Sequence, residues 1–479
     1  MSTEKCKMAY SDPHGPHDVA VPAANVDEST ETLQIEALAA GGRGVARREG
    51  QVWFVSGALP GDRVLAEVVR RHKSYVEGRL IRRLQDSPAR RLSPCPLQPE
   101  CGGCPWMPLG ETEQRRWKRS LVRDALRRIG QTEVEVDEVR TSPVLAYRNK
   151  VEFTLGRDPA GRPVVGLHSG RSEGALVDID RCAVQHDAAN AVLASARTYL
   201  LDHAEEWVDS LPGRAEPYRL VIRRSWLTGE ILVALRETTR PFPAARGLAE
   251  HLAQSHDNLA GVVRIEARRG RRGGTRISRV LGRTWLEERI GETTFRLPAA
   301  SFFQINTYAA SELLDVVVEC VGRVEGRRIA DLYAGVGAFG IELARRGANV
   351  TLCEADGQAV LCGRRAARAG DSKKIAFARA EVSDFLRRTR RDGCRFDVIV
   401  ANPPRSGMGN EVPRLIGEHR PERIVLVSCD PATLARDTRR LMRQGYLPER
   451  VIPIDLFPQT AHVETVLVLR QGAAGYGGE

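Results

Sequence analysis

The sequence predicts an α/β protein in which a small β-barrel and an α+β domain precede a doubly wound, mostly parallel sheet. Short apolar strands alternate with helical stretches in the last third of the chain, a pattern typical of a parallel sheet with helices on both faces. Near the N-terminus, strands with period-2 alternation are separated by glycine turns, which favours a barrel. The strands between these two regions are interrupted by a helix, as in α+β domains.

These patterns divide the 479 residues into four parts. The polar residues 1–31 predict a disordered tail, and residues 32–86 predict an OB-like barrel. Residues 95–291 predict the central α+β domain, and residues 292–479 predict the doubly wound domain. An apolar content of 42% with 28% charged residues is typical of soluble globular domains.

The net charge of +11 favours a polyanionic partner such as nucleic acid. Barrels of this size commonly bind oligonucleotides, and the segment RRHKSY at 70–75 places basic residues beside an aromatic ring. A purely structural barrel is the alternative. The sequence has no apolar run of about 18 residues and no apolar core of a signal peptide, so we expect a cytoplasmic protein without membrane contact.

The first strand of the doubly wound domain is followed by Gly335, Gly337 and Gly340, spaced as GxGxxG. Glycines let a backbone approach a cofactor, and ligands of such folds bind beyond the carboxyl ends of the strands. Glu354 ends the second strand, where it can accept both hydroxyls of a ribose. S-adenosylmethionine, NAD and a turn without a ligand all remain possible on these residues. Glu381, after the third strand, is a weaker candidate for an adenine contact.

Two further strand ends carry groups suited to covalent chemistry. The fourth strand ends in Asn402 followed by two prolines and Arg405, a stiff loop that can hold the edge of a planar base. The fifth strand ends at Cys429, and Glu464 lies near the start of a later strand. A thiol and a carboxylate in one cleft indicate a nucleophile with a separate general base, whereas a buried structural cysteine is the alternative.

Four cysteines form a candidate metal site. Cys95, Cys101 and Cys104 are spaced C-x5-C-x2-C in a loop rich in glycine and proline, and Cys182 is a distant fourth. Thiols this close in a chain without an export signal usually bind metal. Zinc prefers paired CxxC motifs, whereas a loop triad with one remote cysteine suits an iron–sulfur cluster, and the spacing leaves both open.

The chain resembles the RNA uracil-5-methyltransferase family. The resemblance covers nearly all residues from 33 to 470 and rests on YRNKVEF at 147–153, FFQIN at 302–306, DLYAGVGAFG at 331–340, NPPR at 402–405, SCDPATLARD at 428–437 and HVET at 462–465. The pair SCDPATLARD and HVET is highly specific, whereas the glycine motif is not. The resemblance implies a class I S-adenosylmethionine methyltransferase domain acting on uracil carbon 5 in structured RNA.

The same resemblance implies the site residues. Cys429 would be the nucleophile that adds to uracil carbon 6, because carbon 5 alone is too weak a nucleophile, and Glu464 would accept the carbon-5 proton. Contacts with S-adenosylmethionine or the target base are implied for Gln304, Tyr333, Glu354 and Asn402.

More narrowly, the chain looks like the branch of the family with a TRAM-type barrel and a four-iron, four-sulfur cluster. The cluster ligands would be Cys95, Cys101, Cys104 and Cys182. Members of this branch commonly act on ribosomal RNA, so we expect 23S ribosomal RNA as substrate, with transfer RNA as the alternative. We also expect a monomer.

Two departures from the family pattern bear on function. Asn402 stands where the family carries Asp, which predicts altered or reduced activity, and residues 105–107 (PWM) replace the usual polar residues after CGGC. A protein that binds RNA but has lost catalysis is therefore a competing hypothesis. A radical methylthio-transfer enzyme is disfavoured because a fourth cysteine is available, and adenine N6 methylation because it gives Cys429 and Glu464 no role.

Overall fold

The computed structural model describes residues 30–172, 174–208, 218–237, 241–267, 275–370 and 374–472. The predicted tail lies almost entirely outside this part of the chain. No helix in these residues is long and apolar enough to span a bilayer.

The first unit is a six-stranded sheet in the order β1-β5-β6-β4-β3-β2. Its strands are β1 (Thr30–Gln34), β2 (Ala37–Leu38), β3 (Gly44–Arg48), β4 (Gln51–Ser56), β5 (Arg63–Arg71) and β6 (Tyr75–Gln85). Alternate residues of these strands, including Trp53, Val55 and Val76, face a small apolar core. Strand β5 ends in the exposed Arg70 and Arg71, and the last part of β6 includes the exposed Arg82 and Arg83, so both strands present positive charge to solvent.

The second unit is a seven-stranded sheet in the order β13-β12-β11-β10-β7-β8-β9. Its strands are β7 (Lys150–Arg157), β8 (Pro163–His168), β9 (Leu176–Asp178), β10 (Arg219–Arg224), β11 (Ile231–Glu237), β12 (Leu259–Ala267) and β13 (Thr275–Gly282). Helices of this region are α1 (Glu111–Ala125), followed by a π-helical turn (Leu126–Gly130), α2 (Asp187–Asp202), α3 (Ala204–Trp207) and α4 (Ala245–Ser255). The apolar faces of α2 and α4 cover one side of the sheet.

A hairpin of β14 (Trp285–Ile290) and β15 (Thr293–Pro298) precedes the third unit. That unit contains α5 (Thr307–Val321), β16 (Arg328–Leu332), α6 (Ala338–Arg345), β17 (Asn349–Glu354), α7 (Gly357–Ala369), β18 (Ile375–Arg379) and α8 (Val382–Arg391). It continues with β19 (Val398–Ala401), α9 (Glu411–His419), β20 (Arg423–Ser428), α10 (Pro431–Met442), β21 (Tyr446–Ile454) and β22 (Glu464–Gln471).

The third unit is a seven-stranded sheet in the order β18-β17-β16-β19-β20-β22-β21, parallel from β16 to β20 and antiparallel at β21 and β22. All four residues of the central strand β19 are buried. Val398 and Val400 pack with α5, α6 and α7, whereas Ile399 and Ala401 pack against α8, α9 and α10. Apolar layers on both faces of a mostly parallel sheet confirm the predicted doubly wound α/β fold.

Candidate active site

The carboxyl ends of β16, β17, β19 and β20 lie side by side, because these strands are parallel neighbours in the sheet. This edge brings together Tyr333, Glu354, Asn402 and Cys429, each at or just after the end of its strand. Ligands of doubly wound folds bind at this edge, so the residues predicted from sequence share one cleft.

The loop after β16 has a backbone that few residues adopt. Tyr333 has a left-handed φ of 57°, and Gly335 and Gly337 have φ values of 56° and 84°. A non-glycine residue in this region is strained, and such strain clusters at functional sites. A Cβ on Gly335 would meet nothing within 4 Å, so this glycine faces open space where a ligand can approach.

The carboxylates of Glu354 and Asp331 hold this loop by accepting hydrogen bonds from its backbone. The Glu354 carboxylate accepts the N–H groups of Gly335 and Asp356, both at 2.8 Å. Asp331 is fully buried, and its Oδ2 accepts the Gly340 N–H at 2.9 Å while Oδ1 has no partner among the described residues. Burial raises the pKa of Asp331 to about 7, and the Glu354 charge adds to the effect.

The loop that carries Gln304 is fixed by side chains of the central sheet. The amide of Asn149 donates to the Gln304 carbonyl at 2.8 Å and to the Thr307 hydroxyl at 3.0 Å. The buried guanidinium of Arg223 donates to the Ser301 carbonyl at 2.9 Å. Asn306 caps α5 and donates to the Leu456 carbonyl at 3.2 Å, which ties this loop to the segment before Glu464.

Cys429 and Glu464 face each other across an antiparallel register. Ser428 of β20 pairs with Thr465 of β22, so one further step along each strand places Cys429 opposite Glu464. Cys429 also directly precedes Asp430, the N-cap of α10, where the positive end of the helix dipole favours a thiolate.

The charges around these two groups are balanced by Arg405. Burial raises the pKa of the Cys429 thiol, as does the Glu464 charge, and the nearby Arg405 guanidinium opposes both effects. Glu464 is 3% exposed, and burial raises its pKa to about 7 against the attraction of Arg405. A carboxyl group with a pKa near neutrality is suited to proton transfer at physiological pH.

Asn402 and Glu381 differ in their surroundings. Asn402 is partly buried, its backbone N–H donates to the Leu332 carbonyl at 3.2 Å, and its side-chain amide has no hydrogen-bond partner among the described residues. The amide is therefore free to contact a ligand. Glu381 is the exposed N-cap position of α8, two residues after the end of β18.

Asp437 supports the catalytic loops, although sequence reasoning gave it no role. This side chain is 1% exposed, accepts the N–H of Met408 at 2.7 Å, and forms a salt bridge with Arg440 at 2.8 Å. It thereby joins α10, which follows Cys429, to the loop that contains Asn402 and Arg405. Asp437 is the last residue of the specific motif SCDPATLARD, and this position is the sequence feature that could have indicated its role.

The segment 455–462, which leads to Glu464, is held by residues far away in sequence. The side chain of Gln459 accepts from Gln114 of α1 at 2.9 Å and from Arg91 at 3.1 Å, and its backbone N–H donates to Gln114 at 3.0 Å. Lys118, which has no exposed surface, forms an ion pair of 2.5 Å with Asp455. Helix α1 thus fixes the segment that leads to Glu464.

All four predicted metal-binding cysteines line one cavity of about 610 Å³. Cys95, Cys101, Cys104 and Cys182 are partly buried thiols without disulfide bonds. Burial raises the pKa of Cys104 to about 12; the charge of Arg148 opposes this shift, and the neighbouring thiols add to it. The loop triad and the remote cysteine are therefore close together in space, as the sequence predicted.

The described residues do not show a formed metal site. No group of three His, Cys, Asp or Glu side chains among them is arranged to hold a metal ion. The four cysteines line their cavity together with Arg148. An iron–sulfur cluster at these thiols therefore stays a prediction from the family resemblance.

Comparison with known sequence families identifies both ends of the chain. Residues 269–472 match the family described as tRNA (Uracil-5-)-methyltransferase, and residues 28–81 match the TRAM domain.

Full-length relatives agree with this assignment. The chain is 34% identical over 455 residues to an uncharacterized RNA methyltransferase of Gloeobacter violaceus, an alignment that covers 94% of this chain and 98% of that protein. It is 32% identical over 447 residues to an uncharacterized RNA methyltransferase of Thermotoga maritima, with 92% and 99% covered.

A solved structure shares the whole architecture. The Pyrococcus abyssi tRNA (uracil-54, C5)-methyltransferase in complex with S-adenosyl-L-homocysteine superimposes with a TM-score of 0.71 and 26% identity, covering 91% of this chain and 99% of that one. Together with the specific motifs and the shared cleft, these matches show that the chain belongs to the RNA uracil-5-methyltransferase family and carries a TRAM domain.

Proposed function

We propose that this S-adenosylmethionine-dependent RNA methyltransferase methylates carbon 5 of a uridine in structured RNA by covalent catalysis. The observation that carries the proposal is the register that sets Cys429 opposite Glu464 at the strand ends. A thiol and a buried carboxyl group in one cleft supply the nucleophile and the base that uracil carbon-5 chemistry requires.

The proposed reaction begins at Cys429. Its thiolate forms a bond to carbon 6, and the electron pair of the 5,6 double bond moves into the carbonyl at carbon 4, which gives an enolate. Carbon 5 is now nucleophilic. The nearby Arg405 guanidinium and the N-terminus of α10 stabilise the thiolate that starts and ends the cycle.

Glu464 completes the proposed cycle. The enolate electron pair at carbon 5 would take the methyl group from S-adenosylmethionine, which leaves as S-adenosylhomocysteine. The Glu464 carboxylate then removes the remaining carbon-5 proton, and the electron pair of that C–H bond re-forms the 5,6 double bond as the Cys429 thiolate leaves. The buried site keeps the carboxyl pKa at about 7, so that this group both accepts the proton and releases it afterwards.

Asn402 is proposed to contact the target base. The side-chain amide offers one acceptor for the N3–H of uracil and one donor for its O4. The donor would stabilise the enolate oxygen, which an aspartate carboxylate cannot do. The free amide beside Cys429 therefore supports uracil recognition despite the departure from the family pattern.

The cofactors have proposed positions. S-adenosylmethionine, when bound, supplies the methyl group, and we assign its contacts to Gln304, Tyr333, Gly335, Gly337 and Glu354, with Glu381 at the outer rim. An iron–sulfur cluster held by Cys95, Cys101, Cys104 and Cys182 would cross-link the cysteine loop to the segment before α2.

Ribosomal RNA is the proposed substrate, on the basis of the cysteine site and the TRAM domain. The structural similarity to a tRNA (uracil-54, C5)-methyltransferase favours transfer RNA as the second candidate. Mapping 5-methyluridine by mass spectrometry in both RNAs, from a deletion strain and a complemented strain, separates them. Loss of one 5-methyluridine from 23S ribosomal RNA is expected. Loss from transfer RNA alone would overturn the substrate choice, and no loss from either would overturn the function.

A further inference from the structure

A cluster of aromatic rings and one arginine lies on the surface beside the Gln304 loop. Trp226, in the turn after β10, contacts Tyr308 of α5 edge to face, with ring centroids 4.8 Å apart. His186 contacts the same indole at 5.4 Å, and the Arg224 guanidinium lies 4.7 Å from its ring centroid. Tyr308 is 50% exposed, which is unusual for a large aromatic side chain within such a cluster.

The arginine of this cluster forms neither a hydrogen bond nor a salt bridge among the described residues. Its Nε and Nη1 atoms are buried, so Nη2 is the guanidinium nitrogen that can meet a ligand. The indole Nε1 of Trp226 is also buried without an acceptor in this part of the chain. Desolvation lowers the pKa of Arg224, whereas the charges of Glu288 and Tyr308 raise it. An anion at Nη2 would stabilise the charged guanidinium further.

The cluster is held rigidly next to the site. One carboxylate oxygen of Glu288 accepts the backbone N–H of Trp226 at 2.9 Å and the hydroxyl of Thr307 at 3.4 Å. Tyr308 follows Thr307 directly and lies four residues after Gln304. Both aromatic residues are therefore fixed relative to the loop that we assign to the cofactor and target base.

An exposed ring and an unpaired guanidinium match the two chemical features of a nucleotide. Bases stack on aromatic side chains, and arginine binds phosphate. We propose that Tyr308, Trp226 and Arg224 bind a nucleotide of the RNA substrate that flanks the target uridine, with its base on Tyr308 and its phosphate at Arg224. This inference rests on the proposed function, since it takes the substrate to be RNA.

The test measures RNA affinity separately from chemistry. The probe is an RNA hairpin around the mapped uridine, with 2-aminopurine at each flanking position in turn. Tyr308→Leu should raise the KM for this RNA about 5- to 150-fold, as expected for loss of one base–aromatic stack, and leave kcat and the Kd for S-adenosylmethionine unchanged. Tyr308→Phe keeps the ring and should restore the wild-type KM. Arg224→Gln should weaken binding and reduce its salt dependence.

Trp285 offers a matched control. It is a partly buried indole with two guanidiniums over its ring, at 4.7 and 4.9 Å, so Trp285→Leu removes a comparable side chain that has no exposed partner ring among the described residues.

In wild type, 2-aminopurine emission should change at one flanking position when the RNA binds, and this change should vanish in Tyr308→Leu.

Two results would overturn the inference while leaving the function intact. One is a KM for the RNA in Tyr308→Leu that equals the wild-type value. The other is an equal increase of this KM in Tyr308→Leu and Trp285→Leu. If Tyr308→Leu instead abolishes self-association of the protein and keeps its RNA affinity, the surface is a protein interface and the proposal is wrong. A wild-type enzyme that methylates no uridine would refute the proposed function itself.

Discussion

At the scale of single residues, the site raises the pKa of two acidic groups. Burial raises the pKa of both Cys429 and Glu464, and the Glu464 charge raises that of the thiol further. Arg405 lowers the pKa of both groups, so it decides how much thiolate and carboxylate are present together. This balance explains why an exposed arginine follows the two prolines of the Asn402 loop.

The pKa of Glu464 predicts how activity and stability depend on pH. Methyl transfer should increase with pH through about 7 as Glu464 ionises, and should keep increasing at higher pH as the Cys429 thiolate forms, because burial raises the pKa of that thiol. The contribution of Glu464 to folding stability should change in the opposite direction. Its folded pKa lies above the unfolded value of about 4.3, so this contribution is fully present below pH 4.3 and is lost as the pH rises through 7.

Glu464→Gln removes this ionisation. The free energy of unfolding of the variant, relative to that of wild type, should therefore be about 2 kcal/mol larger at pH 8 than at pH 5. Urea unfolding of both proteins at these two pH values measures this quantity. If the variant differs from wild type by the same free energy at both pH values, Glu464 ionises in the folded protein as it does in the unfolded chain.

Asn402→Asp tests base recognition. If the amide donates to the O4 of uracil, the variant should methylate more slowly than wild type, by about 100- to 1,000-fold for loss of one hydrogen bond to a developing charge. Single-turnover rates with saturating RNA measure this step. A faster variant would instead show that Asn402 weakens an enzyme adapted to aspartate, as the family pattern alone predicts.

At the scale of elements, helix α1 and the segment 455–462 act as one unit. Gln459 is fully buried and bonded to Gln114 and Arg91, so Gln459→Ala leaves buried polar groups without partners. The expected loss is about 2 kcal/mol of folding stability, with a lower kcat because Glu464 loses its support. Gln85→Ala, at an exposed position of β6, is the control and should change neither quantity. A wild-type kcat in Gln459→Ala would show that the segment 455–462 is not needed to position Glu464.

The sequence predicted the parallel strands well, because each is a short apolar run ending in a recognisable loop. It missed β21, where Pro448 and Pro453 break the apolar pattern and a bulge shifts the register. It also missed the contacts of Gln459 and Lys118, since polar residues that are buried by distant partners leave no local pattern. The pairing of Cys429 with Glu464 was predicted from chemistry, but the antiparallel register that produces it was not.

At the scale of the whole molecule, the cysteine site connects the loop at 95–104 to the segment before α2. Protein purified without oxygen should contain iron and acid-labile sulfide, and Cys182→Ser should lose both and unfold at a lower temperature. Cys394→Ser, a partly buried thiol away from the cavity, should retain them. A wild-type protein with one equivalent of zinc and no iron would contradict the cluster.

The covalent bond between Cys429 and uracil is the central claim, and mass spectrometry of the protein–RNA adduct tests it most directly. With RNA containing 5-fluorouridine at the target position and S-adenosylmethionine, wild type should form a stable adduct that maps to Cys429. Glu464→Gln should form a methylated adduct even with ordinary uridine, because the proton cannot leave, and Cys429→Ala should form none. An adduct that persists in Cys429→Ala, or methylation at a wild-type rate by that variant, would contradict the account.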